Sequence, residues 1–111
     1  MLDFNKENFA AEVLEAPGKI FVMFTGDGWA PCAAIKPFVV GCSEKYGDKL
    51  KFGTVNTGTN KRLAIGQRVM GIPTMVVYEG GEKVETLLKD DASEASIEAL
   101  IQRHIWEYKF L

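Results

Sequence analysis

The amino-acid sequence predicts one α/β domain, a three-layer sandwich with a mixed central β-sheet and helices on both faces. Three observations carry that expectation. Helical and extended patterns alternate through the first two-thirds of the 111 residues, as parallel strands joined by crossover helices require. Lys19 to Thr25, KIFVMFT, is a continuous apolar run of strand length, as expected for a strand covered on both sides. Gly80-Gly81 separates two strand-like runs and predicts an antiparallel hairpin at one sheet edge.

The elements follow in order. A short strand is expected at Leu2 to Phe4. Asn5 is placed to cap a helix that carries Phe9, Val13 and Leu14 inward and stops before Pro17-Gly18. After the Lys19–Thr25 strand, Gly26-Asp27-Gly28 reads as a turn. Pro31 suits the first helical position, where its missing N–H costs nothing. Ile35, Phe38, Val39 and Cys42 then recur at helical spacing, with Pro37 expected to kink the helix and Gly47 to end it. Lys51 to Val55 reads as a strand. Asn60 to Val69 reads as a second crossover helix carrying Leu63, Ile65 and Val69, closed by Gly71. Thr74 to Tyr78 and Lys83 to Leu88 are the hairpin strands. Ser93 caps a last helix whose Ile97, Leu100, Ile101, His104 and Ile105 form one stripe. Residues 106–111, WEYKFL, form an apolar C-terminal extension of the 1–111 domain.

Composition excludes several classes. A net charge of −2 and the absence of a basic block leave nothing to attract a phosphate backbone, so no nucleic-acid partner is expected. No apolar run approaches the ~20 residues of a membrane span. The start MLDFNKENF has an acid at position 3 and no apolar leader core, which predicts no signal peptide and a cytoplasmic setting. No metal site is expected, since His104 is the one histidine and has no ligand set at useful spacing; a packed or capping role fits it better. The glycines at 26, 28, 80 and 81 read as turn punctuation rather than a phosphate loop. Two cysteines in such a setting read as free thiols. On one helix, Cys32 and Cys42 would be separated by ~15 Å of rise, beyond the about 7 Å between Cα atoms that a disulfide tolerates.

The chemistry-bearing stretch is GDGWAPCAAIKP, residues 26–37. Together with KIFVMFT before it, Pro37 five residues after Cys32, Gly71-Ile72-Pro73-Thr74, the TMVVY strand and the Gly-Gly hairpin, it resembles the thioredoxin family over nearly the whole chain. The stretches NTGTNKRLAIGQ and LLKDDAS look closest to thioredoxins of amino-acid-fermenting anaerobes. The resemblance implies a thioredoxin fold, a role in disulfide exchange, no cofactor, a monomer, protein substrates with extended segments, and thioredoxin reductase as a partner. It also implies a cis Ile72-Pro73 bond.

The family motif is Cys-x-x-Cys, and alignment on Pro31-Cys32 puts Trp29 at the first, attacking cysteine. Cys32 occupies the resolving position. The family's buried aspartate reads Met23 here, and its lysine partner reads Thr54. A thiolate must attack a disulfide, and a second thiol must release the product. The start of a helix favours an anion at Cys32, while cover by neighbouring groups disfavours it. Trp29, Ala30, Pro31, Ile72 and Pro73 are the candidate contacts of an apolar groove, with the Ile72 backbone available to pair with an extended segment.

Three readings stay open on sequence alone. The chain is a redox protein with an altered Trp-x-x-Cys site that cannot complete a dithiol cycle unaided. It is a redox-inert binding module using the same groove, with Cys32 a covered small residue and Trp29 an anchor. Or it is a variant of an ordinary disulfide reductase with cysteine at position 29, against which the Met23 and Thr54 departures argue.

Overall fold

The structure, a computed structural model, describes residues 1–105. The extension expected at 106–111 lies outside the described residues. Five strands form one sheet in the order β1-β3-β2-β4-β5. They are β1 (Leu2–Phe4), β2 (Lys19–Thr25), β3 (Lys51–Asn56), β4 (Thr74–Glu79) and β5 (Glu82–Leu87). The β1, β3 and β2 neighbours run parallel; β4 is antiparallel to β2, and β5 to β4. The mixed sheet with an edge hairpin matches the sequence expectation.

The period-two alternation of β2 divides its side chains between two cores. Phe21 and Met23 pack with Phe52, Met75 and Val77 beneath α1 (Ala30–Tyr46) and α3 (Glu94–Ile105), whose Ile35, Val39, Ile97, Leu100 and Ile101 fill that side. Ile20, Val22 and Phe24 point the other way, toward Phe9, Val13, Val55 and Tyr78. Burial on both faces explains why β2 is an unbroken apolar run. The β4–β5 ladder shifts register between Val77 and Tyr78, leaving Val84 as an extra residue on β5.

Asn5 caps the first helical turn, its Oδ1 accepting from the N–H of Glu7 at 2.9 Å and Asn8 at 3.0 Å. The segment that follows is wider than an α-helix. Ala10–Leu14 is π-wound, and Glu15 N–H donates to the Ala10 carbonyl at 2.8 Å. Phe9 and Val13 are buried, and Leu14 is half-buried.

The start of α1 and the end of the second crossover helix differ from the expectation. Ala30 opens α1, so Pro31 takes the second helical position. That helix continues through Pro37 to Tyr46, although Pro37 offers no N–H to the Ala33 carbonyl. The second crossover helix, α2, spans only Lys61–Gly66. Arg68 then adopts φ 59, which takes the chain off the helical path. Ile65, expected inward, is 70% exposed. It lies roughly 200° around the helix from Leu63, and Ala64 faces the core instead.

Candidate functional site

Thr25 of β2 pairs with Asn56 of β3, Phe4 of β1 with Val55, and Phe24 with Thr74 of β4. The chain leaves β1, β2 and β3, and enters β4, at the same end of the sheet. The turn carrying Trp29 is held there by its neighbour. The Thr25 carbonyl accepts from the Thr57 N–H at 2.8 Å and from the Thr57 hydroxyl at 3.1 Å. Asn56 Nδ2 donates to Asp27 Oδ2 at 3.1 Å. Gly28, at φ +70, makes the reversal that brings the chain into α1.

Trp29 is the residue before α1, extended at φ −108 and ψ 110, and its side chain supplies no cap. Its carbonyl accepts from both Cys32 N–H and Ala33 N–H at 3.1 Å. Trp29 is 53% exposed, whereas Cys32, one turn inside, is 2% exposed. An open cleft of about 470 Å³ lies between the start of α1 and the β1–β3 side of the sheet. Trp29, Ala30 and Cys32 line it, with Asp3, Asp27, Lys36, Thr54 and Asn56. Pro31, Ile72 and Pro73 do not.

Asp3, Thr54, Met23 and Met75 stand in one row across four strands. Met23 is fully buried and Thr54 half-buried, so no carboxylate or ammonium occupies the row beneath Cys32 on β2 or β3.

The Ile72-Pro73 peptide is cis, Pro73 is buried and Ile72 half-buried. Ile72 packs on the second core, and its Cδ1 lies 2.7 Å from where a side chain on Gly26 would begin. That contact seats the loop before β4 against the turn after β2. Thr74 Oγ1 donates back to the Gly71 carbonyl at 2.6 Å.

Cys42 lies ten residues along α1 from Cys32, and both thiols are free. Cys42 is 5% exposed. Burial, seconded by the charge of Glu98, raises its pKa from 9.0 to about 11. Its Sγ donates to Glu98 Oε2 at 3.9 Å, and Tyr46 donates to Glu98 Oε1 at 2.7 Å.

The sequence reading missed the polar side of the cleft. Asp3, Asn56 and Lys36 come from three elements: the parallel register of β1 and β3 brings Asp3 and Asn56 to one end of the sheet, and α1 carries Lys36 to the same cleft. His104 is packed, as its place on the α3 stripe suggests. Its Nε2 lies 2.8 Å from Glu85 Oε1 and its Nδ1 3.1 Å from Lys19 Nζ. Arg103 pairs with the same carboxylate. That carboxyl is held below its usual range, chiefly by the Arg103 hydrogen bond. Among the described residues, no three His, Cys, Asp or Glu side chains gather where they could hold a metal ion, and no helix is long and apolar enough to cross a membrane.

A parallel β1-β3-β2 half joined to an antiparallel hairpin, with a cysteine in the first turn of α1 and a cis-proline loop entering β4 at the same end of the sheet, is the architecture of a thiol–disulfide class of protein. The chain belongs to the thioredoxin family: the family model described as Thioredoxin matches residues 1–103. It is 43% identical over 105 residues to a thioredoxin of Peptoclostridium acidaminophilum, covering 95% of this chain and 96% of that one. It is 35% identical over 105 residues to a thioredoxin of Acetoanaerobium sticklandii, covering 95% of this chain and all of that one. A Bacillus subtilis thioredoxin is 32% identical over 99 residues, covering 89% of this chain and 92% of that one.

Proposed function

We propose that this chain is a thiol–disulfide protein whose Trp29-Ala30-Pro31-Cys32 site cannot run a self-contained dithiol reductase cycle. One observation carries the reading: Cys32 is the only thiol at the turn, and an indole stands where the family's attacking sulfur belongs. In exchange, a Cys32 thiolate attacks one sulfur of a substrate disulfide and expels the other as a thiolate. The mixed disulfide that remains needs a second thiol to break it. Cys42 does not serve, because ten helical residues put it ~15 Å along α1. An external thiol must therefore release the product.

Ala30, Pro31, the Ile72 backbone and Pro73 are the contacts proposed for an extended segment of a protein substrate. Thioredoxin reductase as a partner, a monomeric state and a cytoplasmic setting belong to the same proposal. So does a single domain spanning residues 1–111.

The exposure of Trp29 favours a second reading, a redox-inert docking module. A large aromatic ring half open to solvent is a natural anchor for a partner. Insulin reduction by dithiothreitol separates the readings. The unmodified chain is expected to add nothing to the rate, and Trp29→Cys to accelerate it. Acceleration by the unmodified chain would refute the missing-nucleophile account. No acceleration by either, with Cys32 resistant to alkylation in the folded state, selects the docking module. In that case Trp29→Ala must reduce partner recovery.

A further inference from the structure

A second cleft, of about 430 Å³, lies between the 68–71 turn and the end of β5. It is separate from the Trp29–Cys32 cleft, and its lining is unusually cationic. Arg68, Lys83 and Lys89 face it against one carboxylate, Asp90. This concentration occurs on a chain whose net charge is −2. Among the described residues, no acidic side chain pairs with Arg68, Lys83 or Lys89. Lys83 donates instead to the backbone carbonyl of Gln67. Burial first, and then the charge of Arg68, lower the Lys83 pKa. The two cations thus face the same space, with no carboxylate of the described residues within ion-pair distance of either.

Two further features mark the place. Arg68 holds φ 59, a conformation that glycine adopts freely and a side chain strains to keep. Such strain persists where surrounding structure or function holds it. The rim is apolar: Met70 is 93% exposed and Leu88 61%.

We propose that this cleft binds an extended acidic segment of a partner protein, with a carboxylate among Arg68, Lys83 and Lys89 and an adjoining apolar side chain on Met70 and Leu88. Charge complementarity selects the acid, and the bare Met70–Leu88 rim selects its apolar neighbour. Gly71 and Thr74, on either side of the cis Ile72-Pro73 bond, also line the cleft, but binding there does not require Cys32 to react.

The test is fluorescence anisotropy of a short labelled peptide alternating Glu and Leu, against the same peptide with Gln for Glu. The acidic peptide is expected to bind, and the Gln peptide to bind about fivefold more weakly or worse. Arg68→Gly combined with Lys89→Gln should weaken the acidic peptide by a similar factor. Arg68→Gly alone should melt no lower than the parent, which separates lost binding from lost folding. The proposal is overturned if the acidic peptide does not bind, if both peptides bind equally, or if the double variant binds as the parent does. It is also overturned if inorganic phosphate displaces the peptide where acetate at equal ionic strength does not, which would mark a phosphate site. A dimer of the free protein that Arg68→Gly abolishes would assign the cleft to a second copy. Loss of binding in Trp29→Ala but not in the double variant would assign the peptide to the first cleft.

Discussion

Cys42 is expected to be far slower than an ordinary thiol toward iodoacetamide. Its pKa is raised from 9.0 to about 11, so its thiolate fraction near neutral pH falls from about 1 in 100 to about 1 in 10,000. A more basic thiolate is more nucleophilic, and over two pK units this returns about six- to tenfold. The net slowing is roughly 10–15-fold before access is considered. Burial, with 5% of the residue exposed, slows it further. The assay is alkylation of the folded protein, quantified by mass spectrometry of the Cys42 peptide against the same peptide in denaturant. Glu98→Gln removes a neighbouring charge and a hydrogen-bond acceptor but leaves burial, the largest cause, in place. It should therefore quicken the reaction only by about a few-fold. Linkage gives a second readout. The raised folded pKa means that this group's contribution to stability is complete below about pH 9 and lost between about pH 9 and 11, amounting to roughly 2–3 kcal/mol. Cys42→Ala should flatten that alkaline limb. Native alkylation at the denatured rate would refute the reasoning. So would a mixed disulfide on Cys32 whose discharge depends on Cys42.

Two more predictions follow from packing and charge. A methyl on Gly53 would begin well inside van der Waals contact with the Phe4 ring, and Phe4 is 1% exposed with Phe9 edge-on at 6.5 Å. Gly53→Ala is expected to cost about 1–3 kcal/mol, lowering the melting temperature by roughly 5–15 °C. Adding Phe4→Leu should restore part of the loss, and an unchanged melting temperature would mean that β1 shifts freely. Glu85 ties α3 to β5 through Arg103 and His104. Because its pKa is lowered, that contribution is present above the ordinary carboxylate range and lost as pH falls. Glu85→Gln should cost about 1 kcal/mol near neutral pH and almost nothing in acid, as read by urea titration at both; an equal cost at both would refute the ion-pair account.

The sequence was most informative where a single local pattern was decisive. KIFVMFT could be only a strand buried on both faces, and the Asn5 side chain had backbone donors two and three residues ahead to cap. The π-winding at Ala10–Leu14 was hidden, because Phe9, Val13 and Leu14 fit an α-helix as well as a wider one. The early end of α2 was hidden because nothing in KRLAIGQR announces that Arg68 will take φ 59. At the site, Trp29, Ala30 and Cys32 were legible from adjacency, and they do share a cleft. The groups opposite them were not, since Asp3 and Asn56 meet only through strand register. The cationic cleft was invisible for the same reason: Arg68, Lys83 and Lys89 look like ordinary surface charges until the hairpin folds beside the 68–71 turn.

The two outer strands of the sheet bear on how the protein behaves at high concentration. Every open sheet offers its margins as templates on which another chain can add hydrogen bonds and start a fibril. One margin here, β1, is three residues long and too brief to seed growth. The other, β5, spells EKVETL, with charges at three of six positions and the unpaired Val84 breaking its ladder. Charge, shortness and a local irregularity are the usual defences against edge-to-edge stacking. The two outer strands are thus each guarded against pairing with a second copy of the molecule.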